Sequence, residues 1–493
     1  MLLERFPGDP RVLASIAAAH RKLGNHELAS TLCDQALSRP AIAPREIATL
    51  AYTLAALGRL ADAKSAATRA ASMAPDSVEV RACAAEALAL AGYSSEAAEH
   101  FAAVAIHRPR SASVLESLGL ASIASGDWAR AAQAFEDEER LAPGKRGPLH
   151  HLAVALTELG RRDEAIAVLE RALEAGHRDA EILSVLVQVK GMACDWEGLD
   201  ALAGELREVA QAPCPRPAQP QAALYLTGVG AAEQRTWAEN WARVRFAQTP
   251  AASRPSEPPT GRLRLGYLSA DFYDHATSLL VAGMLEHHDS DRFEVFAYSG
   301  AADDGSTVRR RLVQAVDRFV DIRGLPQRLA AERIAADGLD VLVDLGGYVK
   351  NSLMGILAYR PAPLQGHFLG YPGTTGAPFV DFFVADGITV APGGETAFTE
   401  KVLRMPACYQ PNDPRRIEPA RRSRSECGLS EDAIVLCSFN QAHKMRAPVF
   451  DRWCRLLDAL PRACLWLADN GDSANDRLRG EARHRGVDPA RLV

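Results

Sequence analysis

The chain has 493 residues, of which 47% are hydrophobic and 24% are charged, and this length suits roughly two to four domains. The net charge of −6 argues against nucleic-acid and anionic-membrane partners. The nine cysteines form no Cys-x-x-Cys pair, which favours reduced thiols over disulfides or a zinc site. The sequence shows no signal-peptide pattern and no uncharged run of the ~18 residues that a membrane span needs, so we expect a cytoplasmic protein.

A glycine recurs every 34 residues along the first part of the chain. An alanine follows each glycine by five positions, and a small residue precedes it by seven. The glycines are Gly24, Gly58, Gly92, Gly126 and Gly160. A glycine that ends a helix supplies a left-handed cap, and small residues let two helices pack closely. The pattern predicts five helix–turn–helix units over residues 1–190, and it resembles the tetratricopeptide repeat.

Pro7 lies in the same phase as Pro75, so residues 2–7 are predicted to end an earlier unit.

The repeats also predict a binding partner. Stacked repeats form a superhelix with a concave groove, and we expect this groove to bind proteins or peptides. The alternatives are a spacer and an arm that mediates homodimerisation.

Residues 191–260 are predicted to be linker helices. Two proline-rich stretches, 213–220 and 250–259, flank a predicted helix that carries Trp237 and Trp241. Trp196 follows the last repeat within the Cys-Asp-Trp sequence at 194–196, which marks the joint between the repeats and the rest of the chain. Its ring can at the same time cap the hydrophobic end of the array.

From residue 261 the pattern changes to short apolar runs that alternate with helical segments. This rhythm predicts a parallel, doubly wound sheet in residues 261–410, with its ligand site beyond the carboxyl ends of the strands. The predicted strands are 263–268, 293–298, 341–345, 363–369 and 382–385, and the predicted helices include 308–315 and 327–336.

Polar and glycine-rich segments lie at the ends of these strands. They are the Ser-Ala-Asp-Phe-Tyr-Asp-His stretch that ends at His275, Asp-Leu-Gly-Gly-Tyr at 344–348, the Arg-Pro-Ala-Pro-Leu-Gln turn at 360–365, and Leu-Gly-Tyr-Pro-Gly-Thr-Thr-Gly at 369–376. The three glycines of the last segment let backbone N–H groups approach a polar ligand. Together the segments resemble the catalytic region of the protein O-GlcNAc transferase family, glycosyltransferase family 41 with its SPINDLY-like members. The resemblance runs from about residue 194 to the last residue.

A second sheet domain is predicted at 427–493, after a linker at 411–426. Its predicted strands are 434–439 and 463–468, with a helix at 452–460 between them. The segment Asn440 to Lys444 resembles the family's Phe-Asn-x-x-x-Lys motif, although the proline expected two residues after the lysine is displaced to Pro448. The family's later His-Thr-Thr-Gly segment has no counterpart, so we expect this domain to be incomplete and the chain to be truncated.

The resemblance implies an α + α/β fold: a helical repeat superhelix followed by a GT-B-type glycosyltransferase with two Rossmann-like domains. It implies inverting transfer of N-acetylglucosamine from UDP-GlcNAc to Ser/Thr hydroxyls of proteins. Lys444 would bind the diphosphate, with a solvated lysine as the alternative. His275 would lie beside the attacking hydroxyl as base or positioning group, with a helix cap near Thr277 as the alternative.

Further binding residues follow from the same resemblance. They are Asn440, Gln441, Gly370, Tyr371, Pro372, Gly373, Thr374 and Thr375. The last five would line the sugar pocket through backbone groups, and the alternative is a structural turn. The asparagine ladder that the family carries inside its repeats is missing, because its positions hold other residues. These residues are Ser15, Thr49, Cys83, Ser117 and His151.

No cofactor or metal is expected. Asp289-Ser290-Asp291 has the letters of a metal-binding Asp-x-Asp motif, but it precedes a predicted strand rather than following one, so we expect a solvated turn. An arginine cluster in the second linker is likewise expected to be solvated, with phosphate binding as the alternative. Its members are Arg415, Arg416, Arg421, Arg422 and Arg424.

Two other functions stay open at this point. One is protein O-fucosylation from GDP-fucose, because close relatives use that donor on the same scaffold. The other is a repeat-based interaction scaffold whose transferase half is inactive.

Overall fold

A computed structural model of the chain describes residues 8–247, 261–415 and 421–493. The predicted repeat tail at 2–7, the proline-rich stretch at 250–259 and Arg416 lie outside these described residues. The chain divides into two compact units. The first extends to Arg161 and adds Arg171–Gly176 and Gly324–Leu329, and the second holds Arg162–Glu170, His177–Arg323 and Ala330–Val493.

The first unit is built from helical hairpins. Its helices are α1 Pro10–Lys22, α2 His26–Leu37, α3 Pro44–Ala56, α4 Leu60–Met73, α5 Val78–Leu90, α6 Ser94–His107, α7 Ala112–Ser125, α8 Trp128–Leu141 and α9 Arg146–Glu158. All five repeat glycines adopt the left-handed conformation, with φ between 77° and 85°. The alanine that follows each glycine by five positions is fully buried. The predicted repeat and its glycine caps are therefore confirmed.

Four further helices precede the first strand. They are α10 Arg162–Glu174, which is divided between the units, α11 Ala180–Met192, α12 Leu199–Ala210 and α13 Ala231–Arg245. Helix α13 is the predicted helix that carries Trp237 and Trp241. It packs on the sheet domain, because Trp241 and Ala242 share a core with strand residues and Phe246 stacks edge-on against Phe379.

A seven-stranded parallel sheet forms the centre of the second unit. Its elements are β1 Leu263–Ser269, α14 Ala276–Glu286, β2 Phe293–Ser299, α15 Thr307–Gln314, β3 Arg318–Asp321, α16 Gln327–Ala336, β4 Val341–Asp344, α17 Met354–Leu357, β5 Leu364–His367, β6 Phe382–Asp386 and β7 Lys401–Met405. The strand order is β3-β2-β1-β4-β5-β6-β7. The predicted parallel, doubly wound sheet is confirmed.

The sequence prediction missed the two edge strands. β3 has no buried residue, and neither does β7. An edge strand with a solvent-exposed face does not need the apolar run that marks a central strand, and both strands contain charged residues. The five predicted strands are the five inner ones.

A second, two-stranded parallel sheet follows. Its elements are β8 Ile434–Ser438, α18 Ala447–Ala459, β9 Ala463–Leu467 and α19 Asp472–His484. Helix α18 begins five residues before the predicted start, and the displaced Pro448 occupies its first turn, where proline is favoured. Trp196 packs into this domain rather than only closing the array, since its ring centroid lies 5.5 Å from that of Phe450. No helix in the described parts of the chain is long and apolar enough to cross a membrane.

Candidate functional site

The sheet has a switch point between β1 and β4. From β1 the chain builds outward through β2 and β3, and it then returns to the other side of β1 with β4 and continues to β7. The ends of the two central strands are in register, with Leu268 opposite Asp344, and the backbone N–H of Leu345 donates to the Leu268 carbonyl at 2.9 Å. Doubly wound sheets bind their ligands at such a point.

His275 lies in the loop after β1, at this edge. It is the N-cap residue of α14, and its Nδ1 accepts a hydrogen bond from the backbone N–H of Thr277 at 3.3 Å. Its side chain is 39% exposed. The structure therefore shows the helix-cap role. The part of the ring that is exposed to solvent can still contact a ligand.

A buried acid–base pair that was not predicted lies beside the switch point. His367, at the end of β5, has Nδ1 3.4 Å from an Asp344 carboxylate oxygen, and its Nε2 lies 2.8 Å from the Tyr371 carbonyl oxygen. The Asp344 carboxylate also accepts a hydrogen bond from the backbone N–H of Gly347 at 2.5 Å. Burial alone would lower the pKa of His367, but the hydrogen bond and charge of Asp344 outweigh burial and raise it.

The predicted sugar-pocket loop is anchored by its side chains. Tyr371 is 1% exposed and its hydroxyl donates to the Pro220 carbonyl at 3.3 Å. The Thr374 hydroxyl donates to the buried Glu400 carboxylate at 2.6 Å, and the hydroxyl and backbone N–H of Thr375 donate to the same group. These side chains are occupied within the protein, as the structural-turn alternative requires. A ligand role of this loop through its backbone stays a prediction.

The glycines of the loop permit a close approach between two strand ends. A Cβ on Gly370 would lie 2.5 Å from the Leu345 carbonyl oxygen, so only glycine lets the loops after β4 and β5 touch. Leu369 beside it has φ of 83°, a conformation that costs energy for a residue with a side chain. Gly373 is buried under the Tyr371 ring and Pro372 is exposed.

The predicted nucleotide residues lie on the turn after β8. Asn440, Gln441 and Lys444 are exposed, and among the described residues Lys444 makes no ion pair. The backbone of the turn is fixed by a hydrogen bond, because the N–H of Ala442 donates to the Asn470 side chain at 2.8 Å. The His443 ring lies 4.7 Å from that of Tyr225, and burial, with the nearby cations, lowers its pKa to about 4.

The structure joins one group of predicted residues and leaves the other separate. His275 follows β1 and the loop at 369–376 follows β5, on either side of β4 in one sheet. Asp344, at the end of β4, contacts His367, whose Nε2 contacts the Tyr371 carbonyl of that loop. Within the described ranges, no hydrogen bond or ion pair connects Asn440, Gln441 or Lys444 to these loops. The candidate site therefore consists of a strand-end cluster and a separate cationic turn.

Asp344 was predicted to lie in a strand-end segment but was given no role, and neither His367 nor Glu400 was among the predicted site residues. Asp344 and His367 each occupy the carboxyl end of a correctly predicted strand, and a polar residue after a buried run was the available signal. Glu400 follows an irregular stretch and carries no comparable signal.

Two surface motifs differ in how they meet solvent: the Asp-Ser-Asp turn is exposed as expected, whereas two arginines of the linker cluster make contacts within the protein. Asp289, Ser290 and Asp291 are exposed in the turn before β2, and the described residues contain no group of three or more side chains arranged to hold a metal ion. Arg415 forms an ion pair with Glu286, and Arg424 donates to the Ser430 and Ala433 carbonyls.

Comparison with known proteins shows the family. The sequence profile of Glycosyl transferase family 41 matches residues 243–419 and 417–493, and a tetratricopeptide-repeat profile matches 122–189. The probable UDP-N-acetylglucosamine–peptide N-acetylglucosaminyltransferase SEC of Arabidopsis thaliana is 33% identical over 238 residues, which cover 47% of this chain and 24% of that protein. The corresponding Caenorhabditis elegans enzyme is 27% identical over 345 residues, covering 47% of this chain and 30% of the relative.

A solved structure extends the likeness to both regions. A mutant of the Thermobaculum terrenum O-GlcNAc transferase matches with a TM-score of 0.60 and 26% identity, over 77% of this chain and 73% of that one. Helical repeats followed by parallel Rossmann-like sheets thus define a glycosyltransferase fold of the O-GlcNAc transferase type. Since the family profile covers just over half of the sequence, the chain belongs to glycosyl transferase family 41. It spans only about a quarter to three tenths of the length of the two curated relatives.

Proposed function

We propose that the protein transfers N-acetylglucosamine from UDP-N-acetylglucosamine to serine and threonine hydroxyls of proteins. The observation that supports this best is the convergence of family-41 segments at the switch point, where the loops after β1, β4 and β5 meet. Such a point is where a sheet of this kind holds a ligand, and its shape is fixed here by the Asp344–His367 pair.

Lys444 is the proposed partner of the departing diphosphate. It is an exposed ammonium on a turn after β8 with no competing carboxylate among the described residues, and Asn440 and Gln441 precede it on the same turn. A positioned cation stabilises the negative charge that develops on a leaving diphosphate. We therefore propose that the transfer needs no metal ion.

The repeats are the proposed recruiting surface for protein substrates. They do so without the family's asparagine ladder, and two of the replacement side chains are already engaged. The hydroxyls of Ser15 and Thr49 donate to carbonyls of their own helices, at 2.9 and 3.0 Å. Recognition in the groove would therefore use other side chains than those at the ladder positions.

The test is a transfer assay with two labelled donors. The 493-residue chain, and a form of it extended to a complete second sheet domain, are each incubated with serine- and threonine-containing peptides and either UDP-N-acetylglucosamine or GDP-fucose. The assay is run with and without EDTA, while calorimetry follows the binding of UDP. We expect labelled peptide from the UDP donor only, at a rate that EDTA leaves unchanged. Labelling from GDP-fucose instead would replace the proposed donor. Peptide binding without turnover of either donor would favour the scaffold function.

A further inference from the structure

Asp271 lies in the loop after β1, at the switch point of the sheet. It follows β1 by two residues and is 8% exposed as a whole residue, with part of its carboxylate still accessible. Its backbone is fixed on both sides, because its N–H donates to the Ser269 hydroxyl at 2.9 Å and its carbonyl accepts from the Ser278 hydroxyl at 2.6 Å. The position of the side chain is therefore set by the strand end and by α14.

The Asp271 carboxylate lacks the donors that a buried carboxylate normally has. Among the described residues it accepts no hydrogen bond, and its one charged contact is His275, whose Nδ1 lies 3.8 Å away. Asp344, the other buried acid at this edge, has a backbone N–H and an imidazole. A buried carboxylate without hydrogen-bond donors binds a proton more readily, and burial accordingly raises the pKa of Asp271.

His275 is poorly arranged to be a base. Its Nδ1 accepts the Thr277 backbone N–H, so in the neutral ring the proton must lie on Nε2. A ring in this tautomer presents an N–H group to the site rather than a lone pair. It can donate a hydrogen bond to an oxygen of a substrate, but it cannot remove a proton through Nε2.

We propose that Asp271 accepts the proton of the attacking hydroxyl, and that His275 donates a hydrogen bond that positions the substrate. This assignment rests on the proposed function. The serine or threonine oxygen forms a bond to the anomeric carbon, the bond from that carbon to the diphosphate oxygen breaks, and UDP leaves with the electron pair. The hydroxyl proton passes to the Asp271 carboxylate and is later released to solvent.

Three variants test the assignment. Asp271→Asn keeps the shape of the side chain but cannot take a proton, so we expect kcat for transfer to fall ~10²–10⁴-fold while UDP binding stays within about twofold. His275→Gln keeps a donor and should lose ~10-fold or less. Asp274→Asn, an exposed neighbour in the same loop, is the matched control and should behave as the unaltered chain. Asp271→Asn with near-normal kcat, or His275→Gln with the larger loss, would overturn the assignment.

A second pair of variants separates the loss of a proton acceptor from misfolding caused by any substitution at this buried position. Asp271→Glu and Asp271→Gln have side chains of equal length, and only the first can accept a proton. We expect the Glu variant to turn over at least ~10-fold faster than the Gln variant, and equal rates would contradict the proposal. If the unaltered protein transfers no sugar even when it is extended to a complete second sheet domain, the proposed function fails. If it does and Asp271→Asn does too, only the role of Asp271 fails.

Discussion

The strand-end cluster of the first sheet and the turn after β8 differ in how they hold their polar groups. In the cluster, buried polar side chains interact with one another. Asp344 pairs with His367, and Glu400 accepts hydrogen bonds from Thr374 and Thr375. On the turn, Asn440, Gln441 and Lys444 are exposed, and only the backbone beneath them is fixed. The first region is held in one arrangement by buried charged groups, whose burial costs free energy. The second presents the Lys444 ammonium, which makes no ion pair among the described residues. Mutations should therefore affect stability in the first region and ligand binding in the second.

The largest effect is expected at Asp344. Replacing Asp344 by Ala leaves His367 buried without its counter-charge and Gly347 without its acceptor, so the free energy of unfolding should fall by about 3–5 kcal/mol. Chemical denaturation followed by circular dichroism measures this change. Asp432→Ala, which removes an exposed carboxylate before β8, is the control and should change stability by less than about 0.5 kcal/mol. Equal unfolding free energies of the two variants would show that the strand-end cluster contributes no more to stability than an exposed carboxylate does.

Lys444 should show the opposite behaviour. Lys444→Ala removes an exposed side chain, so the unfolding free energy should change by less than about 0.5 kcal/mol. Transfer should nevertheless fall ~10²-fold if the ammonium stabilises the departing diphosphate. Steady-state kinetics with UDP-N-acetylglucosamine measures the loss, and Lys401→Ala, an exposed lysine on β7, is the matched control. Normal turnover in the Lys444 variant would take this residue out of the mechanism.

Glu400 tests whether the threonines of the loop are structural. Glu400→Gln exchanges one acceptor oxygen for an N–H that faces other donors, and the expected loss of stability is about 1–3 kcal/mol. Thr375→Val removes one of those donors, so combining the two substitutions should cost less than the sum of the single losses. Denaturation of the four proteins completes the cycle. Additive losses would show that the two side chains do not interact.

The sequence allowed the elements to be predicted, but not the contacts that lock them together. The 34-residue glycine phase and the buried inner strands are local patterns, so the repeats and β1, β2, β4, β5 and β6 could be read directly. The partnership of Glu400 with Thr374 joins a loop to a segment 26 residues further along the chain, and no local pattern encodes it. The loop at 369–376 follows a strand, as predicted, but the inward orientation of Tyr371, Thr374 and Thr375 was not predicted, because it depends on partners distant in the chain.

His367 provides the finest test of the buried pair. Since its pKa is raised in the folded protein, its charged form stabilises the fold fully below pH 6.5, the ordinary value for histidine, and this contribution is lost as the pH rises through the folded-state pKa. His367→Gln cannot titrate, so the difference in unfolding free energy between the unaltered chain and this variant should shrink by on the order of 1 kcal/mol between pH 6 and pH 9. Comparing the two proteins at each pH cancels the other titrating groups. A difference that stays constant, or grows with pH, would mean that His367 is neutral in the fold and that Asp344 holds its loops without an ion pair.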